Sequence, residues 1–187
     1  VPDWLKTFVG LEGLAAQSSI YAPLVFPALL QTEAYALGGT AGHIRVRPDH
    51  NERTVSLRME RQRRLFVEDE PLKLAVMLEE AVLDRPIGGP DVLRGQLEHV
   101  LQLVEHENIE VRVLPTALGA HEGLVGPFTV LDFAKAQSIA YVELVNGAVY
   151  VQDQDQVNGY NRTVDRLREV ALSPEESAGV IRSRLTT

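Results

Sequence analysis

The chain has no cysteine in its 187 residues. That excludes disulfides, thiolate-held zinc, iron–sulfur clusters and a thiol nucleophile together, and fits a reducing, cytoplasmic setting. No stretch approaches the roughly 20 consecutive apolar residues that span a bilayer. The opening VPDWLKTFVGLEGLAAQ also lacks a basic segment followed by an apolar one. Neither a membrane span nor a secretory leader is therefore expected. Glycines at 38–42 (GGTAG) and 88–90 (GGP) form neither a phosphate loop nor a dinucleotide fingerprint, because no Gly-Lys-Ser/Thr follows and no strand-to-helix spacing is kept. Ser18 and Ser19 stand in no nucleophile elbow. His99 and His106, seven apart, have no second pair that would complete a metal face. No catalytic residue, metal or cofactor is expected.

What remains is an ordinary globular composition, 45% hydrophobic and 24% charged, with a net charge of −8 and an isoelectric point near 5.1. The length suits one well-buried core, and an acidic chain does not coat nucleic acid or an anionic membrane by its overall field. Lysine is scarce: Lys6, Lys73 and Lys135 stand against 15 arginines. Seven of those (Arg45, Arg47, Arg53, Arg58, Arg61, Arg63, Arg64) fall between Ile44 and Arg64, giving a basic island of +4 and −12 over the rest.

Trp4, Phe8, Leu11 and Ala15 make a helical stripe in a segment expected to run to about Ser19. Thr32 is placed to cap a short helix ending at Gly38-Gly39, and a charged helix is expected from about Asn51 to Phe66. Leu72, Leu74, Val76 and Leu78 alternate as a strand that continues into EEAVL. Asp91 is read as the cap of an amphipathic helix to about Glu105, followed by the alternating IEVRVLP and PFTVLDFA. SIAYVELVNGAVYVQ reads as a hairpin about Asn146-Gly147. Two closing helices are expected, from about Gln154 to Leu172 and from the Ser173-Pro174-Glu175-Glu176 cap.

This order predicts an α+β fold: a mixed sheet of about five strands flanked by helices, with a helical segment over about 1–70 and a sheet-containing core over about 71–187 of a single domain. Strand 72–83, helix 91–105 and strand 109–115 suit a β-α-β unit with a parallel pair. Among candidate functional groups, the adjacent Glu79 and Glu80 point to opposite faces if the strand reaches them, so one is buried and needs Arg58, Arg61 or Arg85 as its partner. A structural ion pair is the preferred reading of such a contact. His121 lies in a glycine-flanked loop, HEGLVGPF, open either to a functional role or to a plain turn. Glu143 shares a strand face with Tyr141.

LEGLA at 11–15, YAPLVFPALLQTEAYA at 21–36, RMERQ at 58–62, LEEAVLDRPIGG at 78–89, QLEHVLQLV at 96–104, VRVLP at 111–115, HEGLVGPFTVLDF at 121–133, YVEL at 141–144 and ALSPEES at 171–177, taken with Trp4, together resemble one family. It is the C-terminal domain of unknown function that follows an Xre/Cro-type helix-turn-helix in actinobacterial transcriptional regulators, WhiJ-like proteins among them. The match covers nearly the whole chain. The family usually reads Pro-Gly-Leu-Leu-Gln-Thr where this chain has Pro27-Ala28-Leu29-Leu30-Gln31-Thr32.

The resemblance implies a cytoplasmic, homodimeric regulator in which an upstream helix-turn-helix, absent from a chain that begins at Val1, contacts DNA. This domain would then sense a small-molecule effector or a small partner protein in a toxin–antitoxin-like pair. An enzyme of unknown class is the third reading. The candidate ligand lining is Gln31, Arg58, Arg61, Gln62, Glu80, Arg85, Gln96, His121 and Glu143, in a pocket between the sheet and the second and third helices. The strand, helix, strand and His loop also resemble, more faintly, a phospholipase-D-like core. His121-Glu122-Gly123 lacks that fold's H-x-K lysine, so no phosphodiesterase activity is implied.

Overall fold

The computed structural model describes residues 1–41 and 48–186. Strands β1 (Gln17–Ala22), β2 (Lys73–Glu79), β3 (Ile109–Leu114), β4 (Phe128–Asp132), β5 (Ile139–Leu144) and β6 (Gly147–Val151) form one mixed sheet in the order β3-β2-β1-β4-β5-β6. The helices are α1 (Asp3–Leu14), α2 (Glu33–Thr40), α3 (Pro48–Gln62), α4 (Pro90–Leu103), α5 (Gln154–Val170) and α6 (Pro174–Leu185). The α+β architecture is the one expected, with six strands rather than five. Among the described residues no helix is long and apolar enough to cross a membrane.

The added strand is β1, whose first half overlaps the stretch expected to be helical. The first helix ends at Leu14, not Ser19, and β1 pairs in parallel with β2 and antiparallel with β4. Packed layers cover both faces of the sheet at β1, so its burial does not alternate; Ser18 and Ser19 are both buried. The β2-α4-β3 unit is present, with β2 and β3 parallel. Strand β2 stops at Glu79 and the expected continuation, Glu80–Leu83, is a 3-10 turn. Helix α4 is capped by Gly89 at φ 101°, not by Asp91, with Pro90 at the first position, where its missing N–H leaves nothing unpaired. The β5-β6 hairpin closes on the Leu144–Gly147 pair, so Val145 and Asn146 form its two-residue turn. Thr32 caps α2 through Tyr35 N–H, and Ser173 with Glu176 forms a capping box on α6.

Alternation sends Ala22, Leu74, Val76, Leu78, Val111, Val113, Leu131 and Tyr141 to one face, packed on Phe8, Leu30, Tyr35, Leu97, Val100 and Ile181. Tyr21, Met77, Leu114, Phe128, Val130 and Ala140 face the other way, against Val157, Val164 and Leu167 of α5. The outer edge of β3 is closed by the approach to α6: Val113 N–H donates to Ser177 Oγ at 2.8 Å, and Leu172 N–H to Val113 O at 2.9 Å.

Gln96 joins the two crossovers. Fully buried on α4, its Oε1 accepts from Thr32 N–H at 2.8 Å and its Nε2 donates to Leu30 O at 2.7 Å. Gln96→Leu orphans both backbone groups, and we expect a loss on the order of 3 kcal/mol in urea unfolding with the helix and strand content of the native state unchanged.

Candidate functional site

Past β1 the chain turns through Pro23 and Pro27, and this segment, with α1, α3, the start of β4 and the end of β5, surrounds a cavity of about 660 Å³. Its walls are largely apolar, from Phe8, Ile20, Phe26, Leu57, Phe128 and Tyr141 among others. The Phe8 and Tyr141 rings stack at 4.2 Å. Charge enters from α3, where Arg58 and Arg61, three residues apart, share a helix face.

The two arginines are held differently. Arg61 makes a two-pronged pair with buried Glu12 of α1, Nε to Oε1 at 2.7 Å and Nη2 to Oε2 at 2.9 Å, and its guanidinium lies 5.5 Å from the centre of the Phe8 ring. Arg58 has a neutral partner: Nη1 donates to Gln31 Oε1 at 3.0 Å, and Gln31 Nε2 donates on to Phe26 O at 2.7 Å. Among the described residues Arg58 forms no ion pair. Loss of water around it, then repulsion from Arg61, pulls its pKa below the ordinary arginine value.

Glu143, on the same strand face as Tyr141, reaches this cavity from β5 and is open to water through the mouth rather than packed into the core. Burial among protein groups pushes its carboxyl pKa up, against the pull of Arg58, a hydrogen bond from Tyr141 Oη and the pull of Arg61. The Tyr141 hydroxyl is pushed up as well, by burial and then by Glu143. The rim carries exposed Leu24, Val25, Leu144 and Val145.

Of the nine candidate residues, Gln31, Arg58, Arg61 and Glu143 meet at this cavity. Gln62 lies behind it, Nε2 donating to Ala28 O at 2.9 Å and Gln31 O at 2.7 Å, which fixes the segment that carries Gln31. Gln96 is the buried clamp already described. Glu80 and Arg85 line a separate cleft with Asp84, Pro86 and Thr116. There Glu80 accepts from Thr116 N–H at 2.8 Å and from Arg184 at 2.9 Å, contacts that lower its pKa in that order. The pairing of Arg58, Arg61 or Arg85 with Glu79 or Glu80 that the sequence had suggested is not made: Glu79 faces the α5 side with Tyr21 and His121, Glu80 meets Arg184, and the two α3 arginines take Glu12 and Gln31.

His121 is on the α5 side of the sheet. Its Nδ1 accepts from Gly123 N–H at 3.0 Å, which leaves Nε2 to donate to Glu79 Oε1 at 2.5 Å; Tyr21 Oη donates to the same oxygen at 2.7 Å. Burial, then Glu79, raises the Tyr21 pKa strongly. Gly123 lies flat on the Tyr21 ring, where an added Cβ would sit 2.5 Å from a ring carbon. The loop is thus a glycine turn, with positive φ at Gly119 and Gly126, and also an anchored one.

The five described arginines of the basic island do not form a single patch. Arg45 and Arg47 lie outside the described residues, as does Gly42 of the GGTAG stretch. Arg53 and Arg63 are exposed, and Arg64 donates to the carbonyls of Gly13, Glu70 and Ala15. His99 has a pKa lowered by burial, and His106 rests its ring on Phe66 at 5.2 Å. No group of three or more His, Asp or Glu among the described residues could hold a metal ion. The residue missed from sequence is Glu12. Its signal was available: it follows Phe8 by four, on the apolar stripe of α1, where a lone carboxylate requires a buried cation.

Compared with known families, residues 5–183 match the model described as "Domain of unknown function (DUF5753)". The chain belongs to DUF5753. No curated protein and no solved structure matches it. The match takes in every strand and all the residues around the cavity of this DUF5753 domain.

Glu12→Ala leaves the Arg61 charge buried without its partner, and we expect a loss of about 3–5 kcal/mol by urea unfolding, most of it recovered in the Glu12→Met/Arg61→Met double variant. Glu143 gives the opposite sign. A carboxyl with a raised folded-state pKa destabilises the fold once ionised, so stability falls as pH rises from the ordinary value of 4.5 through the raised one. Glu143→Gln should raise the melting temperature at pH 7 by about 1–3 °C and flatten its fall above pH 4.5, read by thermal melts across pH.

Proposed function

We propose that this domain is the effector-sensing and dimerising part of a cytoplasmic transcriptional regulator of the Xre type, whose DNA contact belongs to a separate helix-turn-helix. The observation that supports this best is Arg58: a half-buried guanidinium at an apolar cavity, satisfied only by a neutral amide, is a group kept for a ligand. The place of the cavity agrees, since sheets with parallel strands tend to bind ligands beyond the carboxyl ends of those strands, and the wall starts at Tyr21 and Ala22 of β1. The net charge of −8 agrees with DNA contact lying outside this domain.

An effector acts here by differential affinity. It touches α1, α3, β1 and β5 at once, and it favours whichever arrangement of the dimer closes those elements on it. A second reading, docking of a small partner protein, is favoured by the exposed rim of Leu24, Val25, Leu144 and Val145, which such a partner would cover. We assign no catalytic role to Tyr21, Glu79 and His121, whose hydrogen bonds are spent on one another and on Gly123.

Native mass spectrometry of the protein purified from its source cells separates the readings. The expected result is a dimer carrying a small molecule that is lost on denaturation. A dimer without a small molecule, retaining a small protein instead, would overturn sensing in favour of docking.

A further inference from the structure

Accepting the cavity as a ligand site, its charge layout narrows the ligand class. Glu12 and Arg61 cancel each other in a two-pronged pair, which takes both out of ligand recognition. Among the described residues two charged side chains are left at the cavity, Arg58 on α3 and Glu143 on β5, and no ion pair joins them. Arg58 spends one bond on Gln31, and a guanidinium has five N–H donors. Apolar side chains stand around it, Ile20, Pro23 and Leu57 among them, and among the described residues no further basic side chain lines the cavity. One available cation among apolar walls suits one anionic group on an apolar body; a polyanion would meet uncompensated charge at Glu143.

We infer that the cavity binds a small apolar organic acid, its single acidic group on Arg58 and its body against Ile20, Pro23 and Leu57. Glu143 tunes this binding, since its negative charge competes with the ligand's acid for Arg58. Gln31 is a positioning residue: tied to Phe26 O and to Arg58, it aims the guanidinium into the chamber.

Two fluorescent probes with the same body test this: 8-anilino-1-naphthalenesulfonate, which carries one acidic group, and N-phenyl-1-naphthylamine, which carries none. Each is titrated into the full chain and into the Arg58→Ala, Glu143→Gln and Thr54→Trp variants, with thermal melts confirming that each variant is folded. Thr54 lines the cavity from α3, and a tryptophan there fills it. The expected result is saturable 1:1 binding of both probes, blocked by Thr54→Trp. Arg58→Ala should weaken the sulfonate at least about tenfold while leaving the neutral probe unchanged, and Glu143→Gln should tighten the sulfonate alone. If Arg58→Ala weakens neither probe or both equally, the acid assignment falls while the cavity stands as a binding site. If the unaltered chain binds neither probe, or Thr54→Trp binds both as well as it does, the cavity itself is overturned as a receptor.

Discussion

Both edges of β1 are hydrogen-bonded, to β2 in parallel and to β4 in antiparallel register, so the two halves of the sheet are joined through six residues. The rest of the fold follows from that placement. A parallel partner needs a crossover, and the chain between β1 and β2 supplies it with α2 and α3, which brings Arg58 and Arg61 over the sheet. An antiparallel partner lets β4, β5 and β6 follow as a meander, carrying Glu143 to the same side. The cavity lies where the crossover and the meander part company, beyond the end of β1, and its floor is what β1 presents there, Ile20 and Ala22.

Most elements were legible because their signals are local. The amphipathic face of α4, the Asn146 hairpin and the Ser173 capping box each depend on residues a few positions apart, and each is found at or within a residue or two of its expected place. The strand β1 was not, for a physical reason. Its sequence, QSSIYA, has two serines buried inside the sheet, and its register partners lie 56 and more residues away in sequence. Without those partners, the segment reads as the tail of the preceding apolar stripe.

The candidate site was legible in residue type more than in pairing. Gln31, Arg58, Arg61 and Glu143 share one cavity, because polar residues set among apolar ones on a helix face or an alternating strand have to be turned inward. Their partners come from other parts of the chain. Glu12 is 49 residues from Arg61, and the bond between Gln96 and Thr32 spans 64. The same polar-inward signal therefore marks Gln96, a clamp on backbone, and Arg58, a donor with capacity left, and only the accounting of each hydrogen bond separates them.

Tyr21 also ties the two faces of the sheet together. Tyr21 borders the cavity at the end of β1, while its side chain lies on the α5 side, where its hydroxyl holds Glu79 and, through it, His121. Gly123 leaves no room between the loop and that ring. A ligand that moves Tyr21 by even a fraction of an ångström must therefore either lengthen the Tyr21–Glu79 bond or push the loop at 121–126, since close-packed interiors transmit displacement rather than absorb it. On the sensing reading, this gives the occupied cavity a route to the surface formed by Leu118, Leu124, Val125 and Val170, apolar residues that stand exposed beside that loop and at the end of α5. The route depends on the absence of a side chain at Gly123.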